Sequence, residues 1–182
     1  ILQQTRRQTW MGGNIGKSLL NCLDEIKPDG IVVVELSSFQ LAELRNIKKS
    51  PHISVLTNIS PNHLDRHGDM DDYIHAKKGI IAHQTSSDYT VLNYDDPELR
   101  RWEGECKGHV LWYSARLPLR EGVFIKGNSM VIAIDGISTD VSGLSAVKLP
   151  GIHNLQNIFA ASCAAYLAGA RRQHIEKEIT AF

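Results

Sequence analysis

The sequence has no apolar stretch near the roughly 20 residues that a helical membrane span needs. It also has no strongly basic block, since twenty Lys and Arg balance twenty Asp and Glu. The first absence argues against a membrane protein. The second removes the electrostatic footprint of a protein that binds nucleic acid or an anionic membrane. Cysteine is scarce: Cys22, Cys106 and Cys163 are odd in number, far apart and without CxxC spacing. They read as reduced thiols of a cytoplasmic protein, not as a disulfide or zinc framework. The first residues, Ile1-Leu-Gln-Gln-Thr-Arg-Arg7, contain no apolar core of a signal peptide. The absence of an initiator Met points to a chain that starts inside a longer protein. There is no internal repeat, no low-complexity segment and no clear linker.

What is present suits one ordinary domain. The chain has 182 residues, 42% hydrophobic and 22% charged, enough for a real core. Ile31-Val-Val-Val34 is a continuous β-branched run and reads as a strand buried on both faces. Residues 53–57, 89–92 and 109–114 are further short runs of strand type. Helices are expected over 17–26, 39–46, 71–83 and 97–103. Strands and helices alternating at crossover distance predict an α/β fold with a largely parallel sheet. After Ser114 the pattern changes. Gly127-Asn128 between two apolar runs is a hairpin signal, and a small antiparallel patch is expected from about Val123 to Leu149, as a possible inserted subdomain. An alanine-rich, well-buried helix is expected over 154–168 and a short one over 175–182.

Gly13-Asn-Ile-Gly16-Lys17-Ser18 imitates a phosphate-binding P-loop but lacks the glycine five positions before Gly16, where Met11 stands. No strong β-run precedes it. It reads as a glycine-rich turn into a helix, or as a place where backbone approaches a ligand closely and Asn14 supplies an amide.

Four segments carry chemistry. Glu35-Leu-Ser-Ser-Phe-Gln40 follows the first apolar strand, and ligands gather at the carboxyl ends of parallel strands. Glu35 there suits a divalent cation, or simply reaches solvent or a lysine. Thr57 to Gly68 places His63, Asp65 and His67 two residues apart, which fits either a transition-metal site or an ordinary polar loop. Lys77 and Lys78 are adjacent on a helix, and only one turned toward the strand ends would be functional. In Pro150-Gly151-Ile-His-Asn154-Leu-Gln-Asn157, Asn154 is placed as an N-cap, which leaves Asn157 unexplained.

In this order the segments resemble the Mur ligases, from about Met11 to Phe182. The general pattern lies in His63-Leu-Asp65, Tyr73 with Ala76-Lys77, Asn93-Tyr-Asp95-Asp96, and Gly151-Ile-His153-Asn154 with Asn157. Gly12-Gly13-Asn14-Ile15-Gly16 and the Glu35–Gln40 segment are most similar to family members that add D-glutamate. The resemblance implies a Rossmann-like, mostly parallel sheet with flanking helices, and a ligase using ATP and magnesium. It would join D-glutamate to UDP-N-acetylmuramoyl-L-alanine through an acyl phosphate. Glu35, His63 and Lys77 would be the catalytic, magnesium-site residues, with Lys77 carbamylated and Lys78 its solvated neighbour. Asn14, Ser37, Gln40 and His63 would line the carboxylate-substrate side, and Asn154 and Asn157 the adenine side of ATP. Asp65, Arg66 and His67 would brace the loop. The whole chain would be a central domain that lacks the phosphate-binding loop upstream of Ile1. The uridine-nucleotide and amino-acid domains would also lie outside it, so the segment alone would be inactive. The full-length enzyme would be a cytoplasmic monomer without nucleic-acid or membrane partners. Rival readings are another Mur ligase, a folylpolyglutamate synthetase-type ligase, a metal-dependent hydrolase on His63, Asp65 and His67, and a non-catalytic binding module.

Overall fold

The computed structural model describes residues 1–16, 18–62, 64–147 and 151–181. The chain opens with a two-stranded parallel sheet of β1 (Thr9–Gly13) and β2 (Ile31–Glu35). The helix α1 (Ser38–Asn46) leads from it to a six-stranded sheet. That sheet runs in sequence order: β3 (Ile53–Leu56), β4 (Tyr89–Asn93), β5 (His109–Ser114), β6 (Gly122–Lys126), β7 (Ser129–Ile134) and β8 (Ile137–Val141). Pairing is parallel from β3 to β6 and antiparallel from β6 to β8. The fold is therefore α/β with a mostly parallel sheet, as expected. The antiparallel strands are not a separate subdomain, because Tyr113–Val123 and Ser114–Phe124 continue the parallel pairing into them. Two-residue turns connect them, one at Gly127-Asn128 and one at Asp135-Gly136 with both residues at positive φ, 53° and 74°. The strands end at Val141, so the expected patch is shorter; Lys148–Pro150 lie outside the described residues.

Period-two alternation sorts the strand side chains into two layers. Val91, Leu111 and Tyr113 face one cluster with Met130, Ile132, Phe159 and Cys163. Leu56 and Leu92 face the other, with Ile81, Leu99 and the fully buried Trp102. The helices α5 (Ile152–Leu167) and α6 (Arg172–Ala181) cover the first face. On the second cluster lie α3 (Met70–Lys77) through Ile74 and α4 (Pro97–Arg100) through Leu99, and α2 (Leu64–His67) contacts α3. No helix among the described residues is long and apolar enough to cross a membrane.

Several expectations are corrected. β2 is not buried on both faces: Val32, Val33 and Val34 are 41%, 42% and 43% exposed. It pairs only with β1 among the described residues. A strand does precede the glycine-rich turn, because Thr9–Gly13 is recruited by main-chain pairing with β2 and not by its own periodicity. The helix expected over 17–26 is only a 3-10 segment, Leu20–Glu25. Short helices depend on packing, and here Leu20 and Leu23 are 75% and 56% exposed. The helix expected over 71–83 passes into a 3-10 turn at Lys78–Ile80, and that over 97–103 stops at Arg100. α5 starts at Ile152 with Gly151 as its N-cap residue and no side-chain cap, so Asn154 is not the N-cap but lies in the first turn.

A buried amide ties the connection after α3 to the sheet. Gln84, 2% exposed, donates from Nε2 toward Pro51 O (3.1 Å), Ser54 Oγ (3.0 Å) and Tyr89 O (2.9 Å), and accepts from Thr90 Oγ1 (2.6 Å). Removing it strands buried partners. Gln84→Leu is expected to lower unfolding stability by about 2–3 kcal/mol in urea denaturation; a loss below about 0.5 kcal/mol, the range of neutral surface changes, would contradict this account.

Candidate active site

The register of the parallel strands sets Leu56, Leu92 and Trp112 side by side, so β3, β4 and β5 deliver their following loops to one edge. Glu35 is exposed at the equivalent end of β2. Beside it, Asn14 N–H donates to Glu35 O at 2.7 Å. Gly13 permits this approach: its φ is +117°, and a Cβ there would stand 2.2 Å from Glu35 O. Asn14 and Glu35, distant in sequence, are thus brought together.

Ser37 and Gln40 have a local duty. Ser37 is the N-cap of α1; its Oγ accepts Gln40 N–H at 3.3 Å, and Gln40 Oε1 accepts Ser37 N–H at 2.9 Å. This capping box satisfies two helix-end donors. It also holds both side chains at the helix start, next to Glu35.

Lys77 ends α3, half-buried, with its Nζ 5.7 Å from the Tyr73 ring centroid. Burial lowers its amine pKa below the ordinary lysine value, and the charge of Glu35 opposes that shift. Glu35 and Lys77 are therefore in electrostatic reach of each other. Lys78 departs from its expected solvated role: it pairs with Glu105 and lies 5.3 Å from the Trp102 ring centroid. The two adjacent lysines are committed to different surroundings.

The docking of α1 on α3 brings the Glu35–Gln40 segment to Lys77. Gly79 has no side chain where α1 passes; a Cβ would fall 2.3 Å from Leu41 O. Arg45 adds a hydrogen bond from Nη2 to His75 O at 3.1 Å. His67 shares a 2.8 Å hydrogen bond with the buried Ser38 Oγ and stacks on Phe39 with ring centroids 4.7 Å apart. Arg66 covers the Phe39 ring at 4.2 Å. These contacts make Arg66 and His67 braces. His67 Nε2 is thereby engaged with Ser38 Oγ. Among the described residues no group of three or more His, Cys, Asp or Glu is arranged to hold a metal. His63, expected at the magnesium and substrate side, lies outside the described residues.

The Asn93–Asp96 stretch forms the turn leaving β4. Asn93 Nδ2 donates to Thr57 O (2.8 Å), and Asp95 N–H donates to Asn93 Oδ1 (3.0 Å). Asp96 caps α4 by accepting from Glu98 and Leu99 N–H, and also accepts Ile59 N–H at 2.9 Å. Tyr113 OH reaches Thr57 O at 3.3 Å, and burial, then Asp95 and Asp96, push its phenol well above the usual range. Asn154 is half-buried in the first turn of α5 and Asn157 exposed one turn later.

Residues 17–165 match the family model described as the Mur ligase middle domain. The chain belongs to the Mur ligase family. Among curated Mur ligases, it is 40% identical to the UDP-N-acetylmuramoylalanine–D-glutamate ligase of Symbiobacterium thermophilum, over all of this chain and 40% of that protein. It is 46% identical to the ligase of the same name from Clostridium kluyveri, over 90% of this chain and 34% of that protein. The chain thus spans about 40% of the length of the first of these Mur ligases. Solved Mur ligases share its fold. A UDP-N-acetylmuramoyl-L-alanyl-D-glutamate–2,6-diaminopimelate ligase superposes with a TM-score of 0.73 at 21% identity, over 100% of this chain and 42% of that one. MurF from Acinetobacter baumannii gives 0.63 at 17%, over 98% and 47%.

Of the contacts that shape this Mur ligase segment, Ser38–His67 and the close approach at Gly79 carry no sequence signal beyond the residue types themselves. Gly79→Ala is expected to cost about 1–3 kcal/mol of stability by forcing α1 from α3. Gly104→Ala, where a Cβ meets nothing within 4 Å, should stay within about 0.5 kcal/mol. Thermal melts of the two variants compare them directly; equal effects would remove the close-approach argument.

Proposed function

We propose that this segment is the middle domain of a ligase that adds D-glutamate to UDP-N-acetylmuramoyl-L-alanine at the expense of ATP. The observation that carries the reading is the desolvated amine of Lys77 lying within electrostatic reach of Glu35, which stands at the end of β2. The relatives at 40% and 46% identity, both named for that reaction, supply the substrate class. The relatives' greater length supports a further proposal. The uridine-nucleotide site, the phosphate-cradling loop and the amino-acid site belong to other parts of the protein, a cytoplasmic enzyme acting as a monomer.

In this reading a carboxylate oxygen of UDP-N-acetylmuramoyl-L-alanine attacks the γ-phosphorus of ATP, and the bond to the ADP oxygen breaks. The amine of D-glutamate then adds to the acyl carbon, loses its proton, and inorganic phosphate leaves with the former carboxylate oxygen. Both steps bring anions together, so the site must neutralise charge at the transferring group. Magnesium usually takes one or two protein carboxylates and completes its shell with phosphates and water. Glu35 supplies one carboxylate. Lys77 supplies a second if its amine adds carbon dioxide and becomes a carbamate. As an uncapped cation it would repel a metal beside Glu35. Burial suits the carbamate because only the neutral amine reacts, and burial favours the neutral form. His63 is proposed as a third participant at this metal and at the carboxylate substrate. Asn14, Ser37 and Gln40, grouped around Glu35, would face that substrate, and Asn154 and Asn157 the adenine of ATP.

The direct test is phosphate release that depends on both ATP and D-glutamate. The complete ligase carrying this segment should turn over with UDP-N-acetylmuramoyl-L-alanine, and Lys77→Ala should reduce kcat at least about 100-fold, in the range of lost charge stabilisation. The segment alone should release none, and robust turnover by it would refute the domain assignment. A second test reads the amine itself. With labelled bicarbonate, the carbamate carbon signal should require Lys77 and grow as pH rises. Glu35→Gln removes the charge that raises the amine pKa, so the onset should move to lower pH; a shift to higher pH would break the Glu35–Lys77 link.

A further inference from the structure

The turn leaving β4 contains one side chain whose bonds the turn does not need. Asn93 and Asp96 close the turn and cap α4. Asp95 contributes its main-chain N–H to the turn, but its carboxylate points elsewhere. Oδ1 accepts Ser114 Oγ at 2.6 Å; Oδ2 accepts Ala115 N–H at 3.1 Å and Gln156 Nε2 at 3.2 Å. Ser114 is fully buried, and its Oγ also accepts the N–H groups of Arg116 (3.1 Å) and Leu117 (2.9 Å). One carboxylate therefore joins three segments that are far apart in sequence: the exit of β4, the exit of β5 and the start of α5.

Gln156 lies between Asn154 and Asn157 on the first turns of α5. That helix start has no side-chain cap of its own, since its N-cap is Gly151. A helix is stiff over one turn, so fixing Gln156 fixes its neighbours. Side-chain tips lie about 5–6 Å from the helix axis, and a 20° rotation moves them by about 2 Å. That displacement is enough to break a hydrogen bond to a ligand.

We infer that Asp95 is a positioning residue for nucleotide binding: through Gln156 it sets the rotation of α5 and so aims Asn154 and Asn157 at the base. The inference rests on the proposal above that these two asparagines meet adenine. It assigns the Asn93–Asp96 motif a role beyond its turn, with Asp95 acting at a distance from the reacting atoms.

The test uses the complete ligase carrying this segment, with ATP affinity measured by calorimetry alongside KM for both ATP and UDP-N-acetylmuramoyl-L-alanine. Asp95→Ala and Gln156→Ala should each weaken ATP binding about tenfold, and the double variant should be no weaker than either single one. The loss should fall on KM for ATP, with kcat at saturating ATP and KM for the carboxylate substrate changed less than about twofold. Asp95→Asn should recover only part of the affinity: its amide oxygen can accept the Ala115 and Gln156 donors, but its Nδ2 would then face Ser114 Oγ and leave the Ser114 hydroxyl proton without an acceptor. Gln156→Ala leaves the β4 turn untouched and serves if Asp95→Ala does not fold. Additive losses, equal weakening of both substrates, or unchanged ATP affinity in Gln156→Ala would overturn the inference. Asn154→Ala and Asn157→Ala separate the two levels. If they weaken ATP binding while Gln156→Ala does not, only the Asp95 inference falls. If they leave ATP affinity intact, the adenine assignment fails and the inference falls with it.

Discussion

The arrangement of the site depends on how closely α1 can lie against the end of α3. Glu35 leaves a strand of one sheet and Lys77 ends a helix more than 40 residues later in the chain. They come within electrostatic reach, and the backbone at Gly79 lets α1 pack closely by presenting no side chain to Leu41 O, where a Cβ would stand at 2.3 Å. Ser38 and His67 then lock the start of α1 to the end of α2, and Phe39 stacks on His67. Lys77 loses solvent in the same packing.

The other side of the site is built from strand exits. Parallel register sets the ends of β3, β4 and β5 level. The polar turn after β4 then binds them to one another: Asn93 to Thr57, Asp96 to Ile59, Asp95 to Ser114 and α5. Every one of these bonds satisfies a polar group that the ends of the sheet would otherwise leave with fewer partners. The same side chains that keep the strand ends together thereby place the first turn of α5.

Much of this was legible from residue types in order. Residues 89–92 and 109–114 read as strands because they are short apolar runs, and the long alanine-rich helix reads from its composition. The family resemblance singled out Glu35, Lys77 and the two asparagines by motif, and their roles are proposals. The readings that failed share a cause. Ile31–Val34 has the pattern of a doubly covered strand and residues 17–26 read as a helix, yet Val32–Val34 stay about two-fifths exposed and Leu20 and Leu23 more than half exposed. Hydrophobic pattern states what a segment can bury, not what is present to bury it.

The sequence by itself determined the α/β class, the approximate strands, the order of the chemical motifs and, through them, the family. Those features reside in local period and residue identity, which the chain carries wherever it folds. Tertiary structure alone decided that Lys78 pairs with Glu105, that Asn14 sits beside Glu35, that His67 braces against Ser38, and that Asp95 reaches α5. Each of these rests on a contact between segments distant in sequence, set by close main-chain approach or by the bonds left over after local structure is satisfied, and no local pattern encodes either.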